Sequence, residues 1–318
     1  MARCFGGADI GGTKVEAALL GEKGEIIAGR GFSTGPFVEP GEVISQVGKH
    51  IADMVEDSGC GELKALGVGI AGRVDQETGA VIFSPNLGWE DVPLRRLLEA
   101  ELGAPVVVTN DVTAATTGEW HYGAGRGMSD LVCLFVGTGI GGGIVSGGNL
   151  VVGATNTAGE LGHITVVAGG RKCTCGGSGC LEAYAGGWAI AERVREEIAR
   201  DPAAGENIMA LAGAVDKITA RHVVEASREG DPLARHVVED TIQYLAAGVV
   251  SVVNALNPEC VILGGGVMEG MSEAVSEIER IVRRSAIPPA ISSLQIKKSE
   301  LGSKAGVLGA AYLAGGML

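Results

Sequence analysis

The segment Cys173-Thr174-Cys175-Gly176-Gly177-Ser178-Gly179-Cys180-Leu181-Glu182 constrains this chain more than any other. Three thiols stand in the spacing C-x-C-x4-C, and Glu160-Leu161-Gly162-His163 places one imidazole ten residues before the first of them. Three sulfurs and one ring nitrogen complete a tetrahedral zinc shell and leave no position open to substrate, so a structural ion is expected on His163, Cys173, Cys175 and Cys180. Gly176, Gly177 and Gly179 allow a tight turn between ligands. Two alternatives are buried reduced cysteines and a disulfide. The crowding of thiols in one glycine-rich turn disfavours the first, and the lack of any export signal disfavours the second.

A chain of 318 residues, 46% hydrophobic and 20% charged, has the composition of a globular protein with room for two modest domains. A net charge of −13 excludes a nucleic-acid surface, which needs a basic patch. It also means that a polyanionic substrate must be held by backbone N–H groups and metal rather than by a positive field. The first residues show no signal peptide. The longest apolar candidate for a membrane span, around Leu245 to Leu256, is interrupted by Ser251 and Asn254. Seven cysteines in such a chain point to a reducing, cytoplasmic compartment, with Cys4, Cys60, Cys133 and Cys260 as small core residues.

Glycine-tipped hairpins form a second pattern. Asp9-Ile10-Gly11-Gly12-Thr13-Lys14-Val15 reads strand, turn, strand, with Val15, Ala17 and Leu19 alternating as on a half-buried strand. A related run, Leu131 to Val136 followed by Gly137-Thr138-Gly139-Ile140-Gly141-Gly142, repeats it, and Gly264-Gly265-Gly266 follows a third apolar strand. The repetition suggests two similar halves. Tips without Cβ atoms let N–H groups close on phosphate oxygens. Gly137-x-Gly139-x-x-Gly142 formally matches a dinucleotide fingerprint, but that fingerprint needs a helix next, and Ile144 to Val152 alternates like a strand. The spacing of a Walker A loop is absent.

The remainder alternates α and β. Strands are expected at 65–70, 81–83 and 106–109, and helices over 42–57, 94–102, 181–199, 220–228, 232–256, 271–284 and 304–314, with Thr219 capping the fourth of these. Domains are expected at 1–112 with 304–318, and at 113–303. Val106 to Thr109 runs into Asn110-Asp111 and a helix start. A carboxylate at a strand's carboxyl end sits where α/β sheets bind ligands, but Asp is also a good helix cap, and these two readings of Asp111 stand level. Pro85-Asn86-Leu87-Gly88-Trp89 adds an amide and an aromatic, the Trp being the more ordinary core residue.

Asp9-Ile10-Gly11-Gly12-Thr13-Lys14, Pro85-Asn86-Leu87-Gly88-Trp89, Asn110-Asp111, Glu160-Leu161-Gly162-His163 and C-x-C-G-x-x-G-C-L-E together resemble the ROK sugar kinases of the actin–hexokinase superfamily, bacterial glucokinases most of all. The family pattern Asn-Asp-Ala-Asn-Ala-Ala reads Asn-Asp-Val-Thr-Ala-Ala here, which keeps the carboxylate and changes the groups beside it. The resemblance implies two ribonuclease H-like α/β domains around a cleft, with a structural zinc loop, and a homodimer. It implies that ATP is held by Gly11, Gly12, Thr13 and Lys14, by Gly137, Thr138, Gly139, Gly141 and Gly142, and by Gly264, Gly265 and Gly266, with Asp9 orienting Mg²⁺. Asn86, Asn110, Glu160, His163 and Glu182 would bind sugar hydroxyls, and Asp111 would be the general base on the 6-hydroxyl of glucose. N-acetylglucosamine, N-acetylmannosamine and fructose are the other substrates it implies. The family's transcriptional repressors carry a DNA-binding segment ahead of the kinase-like body, and only eight residues precede Asp9 here.

Overall fold

The computed structural model describes residues 3–12, 14–21, 24–33 and 39–316. The chain divides into two compact units, Met1–Gly127 with Ser303–Leu318, and Met128–Gly302.

The first unit is built on strands β1 (Arg3–Ile10), β2 (Lys14–Gly21), β3 (Ile26–Ser33), β4 (Glu62–Ile70), a small antiparallel sheet β5 (Arg73–Val74), β6 (Val81–Ser84) and β7 (Trp89–Val92), and then β8 (Val106–Asn110). The main sheet has the order β3-β2-β1-β4-β8. Its first three strands pair antiparallel, and β1, β4 and β8 run parallel. Helices α1 (Pro40–Ser58), α2 (Leu94–Leu102) and α3 (Asp111–Tyr122) complete the unit with the C-terminal helix Ala305–Gly315. On α1 the buried Val43, Val47, Ile51 and Met54 recur at helical spacing, and Gly59 ends the helix in the left-handed region at φ 68°.

The C-terminal helix is small-residue-rich because it lies unusually close to its neighbours. A Cβ on Gly67 would fall 1.7 Å from the Ala310 carbonyl oxygen, and one on Gly309 would fall 1.8 Å from that of Ala114. This second layer also explains why β2 departs from the expected alternation. Ala17 through Gly21 are all buried, since both faces of the strand are covered.

The second unit contains β9 (Leu131–Val136), β10 (Ile140–Ser146), β11 (Asn149–Leu150), α4 (Glu182–Ala185), α5 (Gly187–Arg200), α6 (Glu206–Ala212), α7 (Ala220–Glu229), α8 (Pro232–Leu256), β12 (Cys260–Gly264), α9 (Gly266–Gly270), α10 (Ala274–Ser285), α11 (Pro288–Ile291) and β13 (Gln295–Lys298); the C-terminal helix is α12. Its sheet order is β11-β10-β9-β12-β13. The antiparallel and parallel pairings follow the same sequence as in the first unit, so the glycine hairpins β1–β2 and β9–β10 are topological equivalents. Thr219 opens α7 as expected, donating its N–H to His222 Nδ1 at 3.3 Å.

Four expectations are corrected. The boundary falls after Gly127 rather than after residue 112, because α3 packs on α12 within the first unit. The single helix expected over 181–199 breaks at Gly186, whose extended backbone lets the N–H groups of Gly187 and Trp188 reach the Gly137 and Thr138 carbonyls at 3.0 and 2.9 Å. The helix expected over 271–284 starts at Ala274, after the separate short α9. Cys4 and Cys60 form a disulfide between β1 and the segment leading into β4; Cys133 and Cys260 are buried and belong to no disulfide. No helix among the described residues is long and apolar enough to cross a membrane.

Candidate active site

In the first unit, the carboxyl edge of the parallel strands collects the polar residues. Asp9 lies near the end of β1, in register with Glu16 on β2 and Gly69 on β4. A Cβ on Gly306 would sit 2.4 Å from Asp9 Oδ2, so only glycine at the start of α12 admits this carboxylate. Burial raises the Asp9 carboxyl to about 7, the negative Asp111 and Glu16 push in the same direction, and Lys14 opposes them. Lys14 forms an ion pair with Glu16.

The helix cap at residues 110 and 111 is decided by geometry. Asn110 is the cap. Its Oδ1 accepts from the N–H groups of Val112 at 2.9 Å and Thr113 at 3.2 Å, and its Nδ2 donates to the Gly72 carbonyl at 3.2 Å. Asp111 is therefore the first helical residue of α3, with Oδ1 accepting from its neighbour Val112 N–H at 3.0 Å. Asn86 is exposed in the turn between β6 and β7, which is anchored by the buried Leu87 and Trp89. Gly11 N–H closes the hairpin tip on the Lys14 carbonyl at 3.0 Å. A Cβ on Gly12 would lie 3.0 Å from Asn86 Cβ and from its carbonyl oxygen. This glycine is thus explained by packing against the Asn86 turn. Thr13 lies outside the described residues.

In the second unit, the four residues expected to hold a metal come together. The ligand atoms of His163, Cys173, Cys175 and Cys180 all lie within 4.8 Å of one another. His163 Nδ1 is 3.7 Å from Cys173 Sγ, and Cys175 Sγ is 3.8 Å from Cys180 Sγ. A tetrahedron with zinc–sulfur bonds of about 2.3 Å has edges of about 3.8 Å, so these residues fit the ion. Gly176 and Gly179 take φ values of 90° and 80°, and a Cβ on Gly179 would be 1.8 Å from the Val167 carbonyl oxygen. Without metal, burial pushes the Cys180 thiol up to about 12, while the Gly177 N–H holds Cys175 below its usual value. The other ring nitrogen of His163, Nε2, faces the exposed Glu160, 3.9 Å away.

Glu182 is buried and held on both oxygens. Its Oε2 accepts from Ile140 N–H at 2.8 Å; its Oε1 accepts from Trp188 Nε1 at 3.1 Å and from the Thr174 hydroxyl at 3.3 Å. Gly139 and Gly142 meet protein rather than open space. A Cβ on Gly139 would strike Glu182 Oε2 at 2.4 Å, and one on Gly142 would come within 2.7 Å of the Gly159 carbonyl oxygen. Gly141 pairs with Phe135 in the sheet. Around Gly137 and Gly266 there is room for a side chain, and both line a cavity of about 900 Å³ with Thr138. Gly264 is buried against Phe135 and Ser299, and Gly265 turns the backbone at φ 89° against the Val136 carbonyl; neither lines that cavity. Sequence reasoning missed the cavity's far wall, Ile218 to Arg228 on and before α7, together with Arg195 and Trp188. The one available signal was α7's amphipathic spacing, which reports burial and not what the exposed face lines.

The sequence profile of the ROK family matches residues 5–316. The chain is 35% identical over 315 residues to a glucokinase of Streptomyces coelicolor, covering 97% of this chain and 96% of that one. It is 36% identical over 310 residues to a glucokinase of Thermotoga maritima, covering 96% of each. Among solved structures, a ROK family glucokinase from Streptomyces griseus in complex with glucose and AMPPNP superposes with a TM-score of 0.80 at 36% identity, covering 98% of this chain and 99% of that one.

Proposed function

This chain belongs to the ROK family, and we propose that it is an ATP-dependent hexose kinase that phosphorylates the 6-hydroxyl of glucose, acting in the cytoplasm as a homodimer. The observation that carries the reading is the start of α3, where Asn110 caps the N–H groups of Val112 and Thr113 and Asp111, the first residue of the helix, stands beside Asp9. The glucokinase relatives, and the glucose and ATP analogue held by the related structure, support the choice of sugar and nucleotide.

In the reaction, the sugar 6-oxygen attacks the γ-phosphorus, the bond to the bridging oxygen breaks, ADP leaves, and the hydroxyl proton passes to Asp111. In a loose transition state that proton moves late, so a positioned carboxylate suffices and most of the acceleration comes from alignment. Magnesium, oriented by Asp9 through water, would neutralise charge on the phosphate oxygens. Gly137, Thr138 and Gly266 face the cavity proposed for the nucleotide. Gly11, Gly12, Thr13 and Lys14 would also hold phosphate. On the sugar, Asn86, Asn110, Glu160, His163 and Glu182 would act as hydrogen-bond partners. Asn110 keeps one amide hydrogen after its bond to Gly72. His163 would serve both sites, Nδ1 on zinc and Nε2 towards the sugar, so that the ion keeps the imidazole in register.

The test is ADP release across a hexose panel for the wild type and Asp111→Asn. Loss of a general base lowers kcat by about 10²–10⁴-fold. Glucose should be the best substrate, and the variant should bind sugar normally while turning over that much more slowly. A variant kcat within about threefold of wild type would remove Asp111 from the role.

A further inference from the structure

Trp188 occupies a junction that the phosphoryl-transfer scheme leaves unused. It is the second residue of α5, where first-turn N–H groups lack partners within the helix. Its N–H donates to the Thr138 carbonyl at 2.9 Å, just as Gly187 N–H donates to Gly137 at 3.0 Å. The hairpin tip is thereby bonded to the start of α5. The indole Nε1–H donates to Glu182 Oε1 at 3.1 Å, and the residue itself lines the 900 Å³ cavity. Through Glu182 the contacts continue in two directions. Oε2 holds Ile140 at the first residue of β10, and Oε1 takes the hydroxyl of Thr174, between the ligands Cys173 and Cys175. Cys173 is 3.7 Å from His163 Nδ1. One carboxylate and one indole thus join the loop that carries His163 to the tip that carries Gly137 and Thr138.

We propose that Trp188 is a positioning residue that couples sugar occupancy to nucleotide occupancy, by fixing the rotation of the Glu182 carboxylate between the metal-binding loop and the hairpin tip. The inference rests on the kinase reading above and adds to it a residue that touches neither the transferred phosphoryl group nor the sugar. With the indole donor present, Glu182 is held on both oxygens, and a shift of the loop around a bound sugar is passed to Ile140 and to the tip. With that donor removed, Oε1 keeps the Thr174 hydroxyl at 3.3 Å and the more distant Cys173 sulfur at 3.9 Å. The carboxylate can then turn without moving the hairpin. Coupling of this kind is reciprocal, so it must appear equally in the sugar's effect on nucleotide and the nucleotide's effect on sugar.

Trp188→Phe removes the N–H donor and keeps an aromatic ring against the cavity. The experiment measures hexose Kd with and without saturating AMPPNP, by calorimetry, using the hexose that the wild type phosphorylates. In the wild type the nucleotide should tighten the hexose at least about fivefold, the lower end of ordinary coupling. In Trp188→Phe the ratio should fall below about twofold, with the melting temperature and the Kd for hexose alone close to wild type. Thr174→Val, which removes a second donor on the same oxygen, should lower the ratio in the same direction. A ratio in Trp188→Phe equal to wild type overturns the inference and leaves the kinase reading standing. So does a wild-type ratio near one, or equal weakening of both ligands with a lowered melting temperature, which marks a purely structural residue. Failure of the wild type to phosphorylate any hexose overturns both.

Discussion

At the scale of single residues, the first unit is governed by a pair of neighbouring carboxylates in unlike settings. Asp111 is the first residue of a helix, and Asp9 is desolvated against a glycine of α12. The folded Asp9 carboxyl is raised from 3.8 to about 7, so over that interval the folded state retains a proton that the unfolded chain has released. The stabilisation associated with that proton is complete below pH 3.8 and is lost as pH rises through about 7. Asp9→Asn keeps a neutral side chain at every pH. Melting temperatures of wild type and variant, measured without nucleotide or magnesium, should therefore lie close together at about pH 4 and separate in favour of the variant at about pH 8. A difference that stays constant with pH would show that Asp9 does not titrate in this range.

At the scale of elements, the small residues of α12 set how closely it approaches the sheet and α3. Gly309→Ala would drive a methyl group into the Ala114 carbonyl oxygen, 1.8 Å from the ideal Cβ position, in a contact formed by two backbones that cannot yield independently. Overpacking of this kind costs about 1–3 kcal/mol. Gly41→Ala, in the first turn of α1 with nothing within 4 Å of its Cβ, should instead gain about 0.4–1 kcal/mol by restricting the unfolded chain. Urea midpoints should move in opposite directions for the two variants. A Gly309→Ala midpoint at or above wild type would mean that α12 can slide. The same logic applies to the hairpins, where most glycines are required by protein neighbours and few by space for a ligand.

At the scale of the whole molecule, the metal loop is expected to act as a local support within a larger core. Structural zinc contributes about 10–16 kcal/mol in finger peptides, which have no other core, whereas whole domains are stable by about 5–15 kcal/mol. Here the segment 160–182 contributes Leu161 and Leu181 to a larger cluster, most of which, including Val132, Leu134, Leu245, Val249, Val261 and Leu263, lies outside it. One zinc per chain is expected by metal analysis. Chelation, or replacement of the exposed Cys175 by Ala, should raise hydrogen exchange over residues 160–182 while β9 and β12 stay protected. Sugar affinity should fall first. Nucleotide affinity should follow to a smaller degree, because Glu182 in that segment also holds Ile140. Protein purified without chelator that contains no zinc, or a Cys175→Ala variant with wild-type sugar affinity, would refute this account.

What the sequence determined on its own was whatever is written in short spacings. The cluster of one histidine and three cysteines, the two glycine hairpins and hence a fold of two like halves, and a carboxylate at the end of the third parallel strand were all legible, since each signal lies within a few residues. Helical spacing placed α1, α2, α7 and α8 for the same reason. Tertiary structure alone decided which of Asn110 and Asp111 caps α3, since both residue types cap well and only Asn110 reaches the two N–H groups. It decided that Cys4 meets Cys60, that Gly12 faces Asn86, and that Gly139 and Gly142 face Glu182 and the turn at Gly159. It also gathered Trp188, Ile140 and Thr174 around one buried carboxylate. Periodicity reports which face of an element is covered, but the identity of the covering group depends on how strands and helices distant in sequence are stacked. The partners of a buried polar group become visible only when that stacking is known.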